Sequence, residues 1–164
     1  PPLPEGTDPV EHHLARIRMA RGAFDLDQNW TFVAEELATG KLIGEVCLLT
    51  RAGIAAREVG YWVAEAGLRR GFATEMAAAM VRVAFELEQM KRVDLMITPG
   101  NEGSVGVARK LGFTLEGRLR DRQLLPHHTR GDLFSFTLLD SEYPTSPARA
   151  VEIEAFDMLD RRVF

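Results

Sequence analysis

Cysteine is nearly missing: Cys47 stands alone among 164 residues, so no internal disulfide can brace the chain. A reduced, cytoplasmic setting is the expectation. Aromatic residues are sparse at 8%, and basic residues are scattered rather than gathered into a run. With a net charge of −4 the chain has no general attraction for a phosphate backbone, which argues against nucleic-acid binding. No stretch approaches the ~20 uninterrupted apolar residues that span a bilayer. The opening PPLPEGTDP is neither basic nor hydrophobic, unlike a secretory signal. What is present is a 46% hydrophobic chain, long enough to bury one core without staples.

Residues 1–9 hold four prolines and are expected to be extended. Val10 to Ala23 has helical periodicity, with Leu14, Ile17 and the Arg18 stem facing inward and Gly22 ending the run. Trp30–Leu37 and Leu42–Leu49 read as an antiparallel hairpin across Thr39-Gly40, and Arg57–Ala64 as a third strand. From Phe72 to Met90 the period changes: Phe72, Met76, Met80, Val83 and Leu87 share one helical face, away from Glu75, Arg82 and Glu86. Val93–Thr98 is a short apolar strand stopped by Pro99-Gly100. A short helix, Ser104–Leu111, ends in Gly112 as its left-handed cap. Phe113–Leu124 and Leu133–Leu139 complete a β-β-β-α-β-α-β-β order. Such an order implies an α/β fold of α+β type, with a mixed, mostly antiparallel sheet flanked by helices on both faces. Ser141–Ala148 ends the core, and Val151–Val163 is expected to form a helical appendage through Val151, Ala155 and Leu159.

The sharpest local signal is the junction Tyr61-Trp62-Val63-Ala64-Glu65-Ala66-Gly67-Leu68-Arg69-Arg70-Gly71-Phe72-Ala73-Thr74, a strand, a polar loop and a helix start. Helix-start amides and the positive end of the helix dipole attract an anion, to which Arg69 and Arg70 add charge and Gly71 gives access. Glycine and arginine are also ordinary at a helix start, and the segment matches neither a Walker loop nor G-x-G-x-x-G.

This segment resembles the acyl-CoA pyrophosphate loop of the GNAT N-acetyltransferase superfamily, in particular its RimJ/RimL-like branch. There, a strand E-x-G-Y-W-x precedes a loop and G-x-A-T-E, matched by Glu58–Val63 and Gly71–Glu75. Asn101-Glu102-Gly103-Ser104 followed by Arg109-Lys110-Leu111-Gly112-Phe113 resembles the N-x-x-S...K-L-G-F block, and Glu116-Gly117-Arg118 and Asp132 fall where the family often has E-G and a later aspartate. The resemblance spans about Trp30 to Tyr143, with departures: Leu68 replaces a common Gln or Arg, and Arg69 a frequent Gly. It implies that one side-chain contact to phosphate is lost and that Arg69 substitutes for it. The family's first strand and helix have no match ahead of residue 30. Residues 1–143 are thus expected to form the transferase domain, without those elements, and residues 144–164 a linker and helical tail.

The resemblance implies acetyl-CoA as donor, contacting Trp62, Val63, Ala64, Leu68, Arg69, Arg70, Gly71, Phe72, Ala73, Thr74, Asn101, Ser104 and Lys110. It also implies strands splayed near Val63, with the pantetheine pairing like an added strand. Amine acetylation needs a group to take the amine's proton, since an alkylammonium of pKa ~10 has no free lone pair at neutral pH. Glu58 is the first candidate, sharing a strand face with Gly60 and Trp62; its alternative is a salt bridge at a strand end. Glu45 and Glu116 are rivals. Ser104 is expected to donate to the departing thiolate, or merely to N-cap its helix. Asn101 either bonds the pantetheine or holds the loop. Trp62 and Phe72 line the acyl site or, as the favoured reading, belong to the core. His12-His13 and His127-His128 suggest a metal, but neighbouring side chains diverge and one cysteine cannot complete a set, so none is expected.

The leading expectation is an acetyl-CoA-dependent N-acetyltransferase acting on a protein N-terminal amine or a small-molecule amine. A non-catalytic acyl-CoA-binding or regulatory module and a purely structural domain are the alternatives. A homodimer is expected, through the first helix or the segment after Pro147, to cover an exposed edge.

Overall fold

A computed structural model of the chain describes residue 6 and residues 8–124, 129–157 and 159–164. Helix α1 (Pro9–Asp25) is started by Asp8, whose carboxylate accepts from the Val10 N–H at 2.8 Å. Strands β1 (Asn29–Glu36), β2 (Lys41–Leu49) and β3 (Ala56–Val63) follow, then helix α2 (Phe72–Arg82), β4 (Arg92–Ile97), helix α3 (Glu102–Lys110), β5 (Thr114–Leu124) and β6 (Arg130–Leu139). They form one six-stranded sheet in the order β1-β2-β3-β4-β6-β5. Every neighbouring pair is antiparallel except β3 with β4, which α2 joins as a crossover. The mixed, mostly antiparallel sheet expected from the sequence is therefore the observed one.

Strand alternation divides the sheet into two chemically different faces. Val46, Leu48, Val59, Val93, Leu95, Phe136 and Leu138 point into the core with Met76, Ala77, Met80 and Val81 of α2 and Val105 and Ala108 of α3. The opposite face carries Glu45, Cys47, Glu58, Gly60, Trp62, Asp94 and Thr137. That polar face holds the candidate chemistry.

Several expectations are corrected. No residue of α1 is buried, and Leu14 and Ile17 are exposed; the helix is tied to the sheet at the Arg16–Glu45 ion pair and the Phe24–Phe32 ring contact instead. It also runs past Gly22. The long second helix is not continuous: after Arg82 it widens into a π-turn over Val83–Leu87, where the Glu88 N–H donates to Val83 O at 3.0 Å, and Leu87 is exposed. Gly112 does close α3, at φ +86.

The core reaches through Ser141–Ala148, the segment expected to end it. Ser146 and Ala148 are buried, and the Ser146 hydroxyl donates to Leu111 O at 2.7 Å while accepting from Ala148 N–H at 3.1 Å. The segment after it is no helix among its described residues: Phe156 bridges Arg162, Arg82 Nη1 donates to Val151 O at 2.7 Å, and Phe164 lies under the Arg82 guanidinium. Contacts to α2 override the local helical spacing.

Candidate active site

β3 and β4 share three residue pairs, Ala56 with Arg92, Arg57 with Val93 and Glu58 with Asp94. Beyond them the strands part. The Ala64 N–H donates to Ile43 O at 2.8 Å. Alternation therefore directs the backbone groups of Trp62 and Gly60 toward β2 and those of Tyr61 and Val63 into the opening.

Past Val63 the chain makes a short 3-10 turn at Glu65–Gly67 and reaches α2 through two residues in left-handed conformation, Arg69 at φ +60 and Gly71 at φ +94. A Cβ on Gly71 would meet nothing within 4 Å, so backbone conformation rather than crowding selects glycine there. Arg69 holds a conformation that glycine favours, at the position where the resemblance noted a missing glycine. The N–H groups of Arg69, Arg70, Gly71, Phe72 and Ala73 have no acceptor among the described residues, and bonding resumes with Thr74 N–H to Gly71 O at 2.9 Å. Consecutive free amides at the positive end of α2 are a geometry able to receive an anion.

The side chains around this loop divide their roles. Arg70 is ion-paired to Glu36 and lies 4.7 Å over the Phe72 ring, so its charge is engaged by β1 rather than free for a ligand. Hydrogen bonds from Thr39 and Arg70 hold the Glu36 carboxyl below its ordinary range. Arg69 is exposed and has no ion-pair partner among the described residues. Leu68 and Lys110 are exposed, and Ala64, Ala73 and Thr74 half-buried. Trp62 is 43% exposed, on the polar face, which corrects its expected place in the core; Phe72 is half-buried.

At the last shared rung, Glu58 is 6% exposed and Asp94 4%. Arg51, on the 3-10 turn Thr50–Ala52, donates through Nε to Glu58 Oε2 at 2.8 Å and through Nη2 to Oε1. The salt bridge foreseen for Glu58 is thus present. Asp94 accepts from Thr137 Oγ1 at 2.9 Å and from Arg92 Nε at 3.1 Å. Burial pushes the Asp94 carboxyl up, against the pull of Thr137 and Arg92. These groups and Glu116 line one open cleft on the polar face. Of the rival bases, Glu45 is engaged by Arg16 at 2.7 Å, while Glu116 has no ion pair among the described residues. Asp132 clamps the β5–β6 hairpin, accepting from Arg118 Nε and from the Asp121 N–H at 3.0 Å.

α3 brings the second motif to the mouth of the opening. Asn101, not Ser104, is its N-cap, accepting from the Ser104 N–H at 3.1 Å. The Ser104 hydroxyl lies beside the buried Tyr61 Oη, which has no hydrogen bond of normal geometry; burial raises the Tyr61 phenol and Ser104 opposes it. Among the described residues no cluster of His, Cys, Asp and Glu could hold a metal ion. His12 and His13 lie on the exposed α1, and His127-His128 fall outside the described residues.

Arg51, Asp94 and Tyr61 were not singled out from the sequence. Asp94 had a signal, a carboxylate inside the apolar run Val93-Asp94-Leu95-Met96-Ile97. Arg51 had none, because only the turn before β3 brings it back over Glu58.

Comparison with known proteins supplies the lineage. The acetyltransferase (GNAT) domain profile matches residues 3–114. YdaF of Bacillus subtilis, provisionally named a ribosomal N-acetyltransferase, is 32% identical over 110 residues, 65% of this chain and 58% of its own length. A solved structure named as a probable acetyltransferase superimposes with a TM-score of 0.70 at 26% identity, covering 77% of this chain and 71% of the other. Another, from Vibrio cholerae and provisionally named a ribosomal-protein-serine acetyltransferase, gives 0.68 at 22% identity, over 76% and 72%, a likeness of fold. No helix among the described residues is long and apolar enough to cross a membrane. With a profile match over more than half its length, the chain belongs to the GNAT acetyltransferase family, in keeping with its RimJ/RimL-like branch.

Proposed function

We propose that the chain transfers an acetyl group from acetyl-CoA to a primary amine, of a protein N-terminus or a small molecule, by direct attack in a ternary complex. Acetyltransferases of this family use acetyl-CoA as cosubstrate. The observation that carries the reading is the alignment of a buried carboxylate, Glu58, with the parting of β3 and β4 and the free amides that begin α2.

Acetyl-CoA supplies a thioester carbonyl for the amine to attack and a thiolate that can leave. The amides from Arg69 to Ala73 hold the pyrophosphate, with Arg69 adding charge, and Asn101 shapes the loop beside the pantetheine. Val63 N–H, turned into the opening, is available to the carbonyl oxygen as it gains charge. Glu58 takes the proton from the attacking amine. Ser104 donates to the sulfur, with Tyr61 Oη next to it.

The acceptor reaches the polar face, where Trp62 and Glu116 are accessible. The same reading places the chain in the cytoplasm, where the lone thiol of Cys47 stays reduced. It also makes a homodimer through α1, whose Val10, Ile17 and Met19 are exposed, since the segment after Pro147 is engaged by its own core.

Two measurements test the transferase reading. Acetyl-CoA is expected to raise the melting temperature, and a mixed panel of primary amines to release free thiol. Binding without thiol release selects the non-catalytic acyl-CoA module, and no shift rejects both.

A further inference from the structure

We propose that Arg51 is a built-in stand-in for the acceptor: its guanidinium occupies the Glu58 carboxylate until the substrate's ammonium displaces it. The inference rests on the cleft being the acceptor site and deepens that reading.

Glu58 is buried, and both of its oxygens are engaged by Arg51. A carboxylate closed by a guanidinium in this two-point geometry is neutralised and shielded from an incoming amine. Arg51 cannot itself accept or pass on the proton, because a guanidinium stays charged throughout the working range. For Glu58 to take a proton from a substrate, Arg51 has to leave.

Arg51 is built to leave, and its neighbour is not. Its side chain is 67% exposed, on a three-residue turn, and among the described residues Glu58 is its sole hydrogen-bond partner. Arg92, beside the second buried carboxylate, is held twice, to Asp94 and through Nη2 to Ala52 O at 2.8 Å. Asp94 has Thr137 as well. The mobile cation in the cleft is therefore Arg51.

Exchange of one cation for another avoids the largest penalty in the site. Removing Arg51 alone would leave a buried carboxylate without a counter-ion, which is strongly unfavourable. An arriving ammonium cancels that penalty, whereas a neutral ligand of the same shape does not. The cleft thus selects acceptors that arrive as primary ammonium ions: the N–H bond breaks toward a Glu58 oxygen, an O–H bond forms, and the nitrogen keeps the electron pair for attack. A guanidinium fits the same carboxylate but is too weakly acidic to yield its proton, so compounds of that class are inhibitors.

The test uses propylammonium and methylguanidinium as probes, with calorimetry on the whole chain. If the open state is about a tenth of the population, Arg51→Gln tightens propylammonium binding about tenfold and lowers the amine KM equally, with kcat little changed. Methylguanidinium, which refills the same place, should likewise bind about tenfold more tightly to Arg51→Gln than to the native chain. Unchanged or weaker propylammonium binding overturns the proposal, and so does a fall in kcat at constant KM, which would make Arg51 a residue that orients Glu58. If Arg51→Gln does not fold, Arg51→Lys replaces it, with a single-point contact that propylammonium displaces more readily than in the native chain; equal or weaker binding there is again a refutation. Absence of thiol release in native and variant chains alike counts against the transferase reading alone, because the binding comparison still decides the role of Arg51.

Discussion

Glu58 and Asp94 face one another across the last rung that β3 and β4 share, both buried, each with its own arginine. Two carboxylates thus stand at the point where the sheet opens. Only Glu58 has a partner free to move away.

Replacing Glu58 by Gln keeps the shape and removes the base. kcat is expected to fall by ~10²–10⁴, as for loss of a general base, with acetyl-CoA affinity nearly unchanged. Residual activity should recover as pH rises and free amine becomes abundant. Near-native kcat at neutral pH would transfer the role to Glu116, the carboxylate in the cleft without an ion pair among the described residues.

The loop separates backbone from side-chain effects. Gly71→Ala forces a Cβ into φ +94 and should cost ~1–2 kcal/mol of stability along with CoA affinity. Arg69→Gln should leave stability within ~0.5 kcal/mol. It should nonetheless weaken CoA binding by about tenfold, the loss of one charge-assisted contact to phosphate. Calorimetry and melting on the same samples check both; native CoA affinity in Arg69→Gln would show that the amides suffice.

Both tyrosines resist ionisation. Burial, then the hydrogen bond to Glu86, pushes the Tyr143 phenol up to about 12, and burial raises Tyr61 as well. An unfolded tyrosine titrates near ~10. Above that value the folded chain keeps a proton the unfolded chain has lost, so the contribution of Tyr143 is complete below pH ~10 and is lost as pH rises through its folded value. Absorbance at the tyrosinate band is expected to stay flat to pH ~10, and Tyr143→Phe should remove one later step. Ionisation of a full equivalent by pH ~9 would contradict the desolvation that raises both phenols.

Ser146 reports on how firmly the tail is docked. Ser146→Ala leaves Leu111 O buried without its donor and should cost ~1–3 kcal/mol, a drop of several degrees in melting temperature. Thr145→Ala, which removes an exposed hydroxyl bonded to Glu142 O, is the matched control and should change little.

Strands were legible because β-branched and aromatic runs end at turn residues, as at Thr39-Gly40 before Leu42 and Pro99-Gly100 after Thr98. The spacing of Leu14 and Ile17 correctly gave a helix and wrongly gave its burial, since periodicity states a helix's own pattern and not whether anything packs on it. Val151, Ala155 and Leu159 failed for the converse reason: Arg82 captures Val151 O and Phe164, and a tertiary contact outweighs weak local preference. In the site, motif order revealed the loop and Glu58. The ion pairs that decide what Glu58 can do depend on which turn returns over which strand, and no spacing in the sequence encodes that.

The π-turn at Val83–Leu87 also bears on how the chain tolerates insertion and deletion. A π-turn is an α-turn with one residue added. Deleting one residue there would restore a regular helix, each residue of which turns the chain by ~100°. Lys91 N–H is anchored to Ala55 O just ahead of β4, so the strand would keep its register while that anchor holds. A strand moved by one step would exchange its two faces, with Asp94 in the core and Val93 in the cleft. The π-turn therefore absorbs a one-residue change before it reaches the sheet, and the side chain that meets Glu58 stays the same.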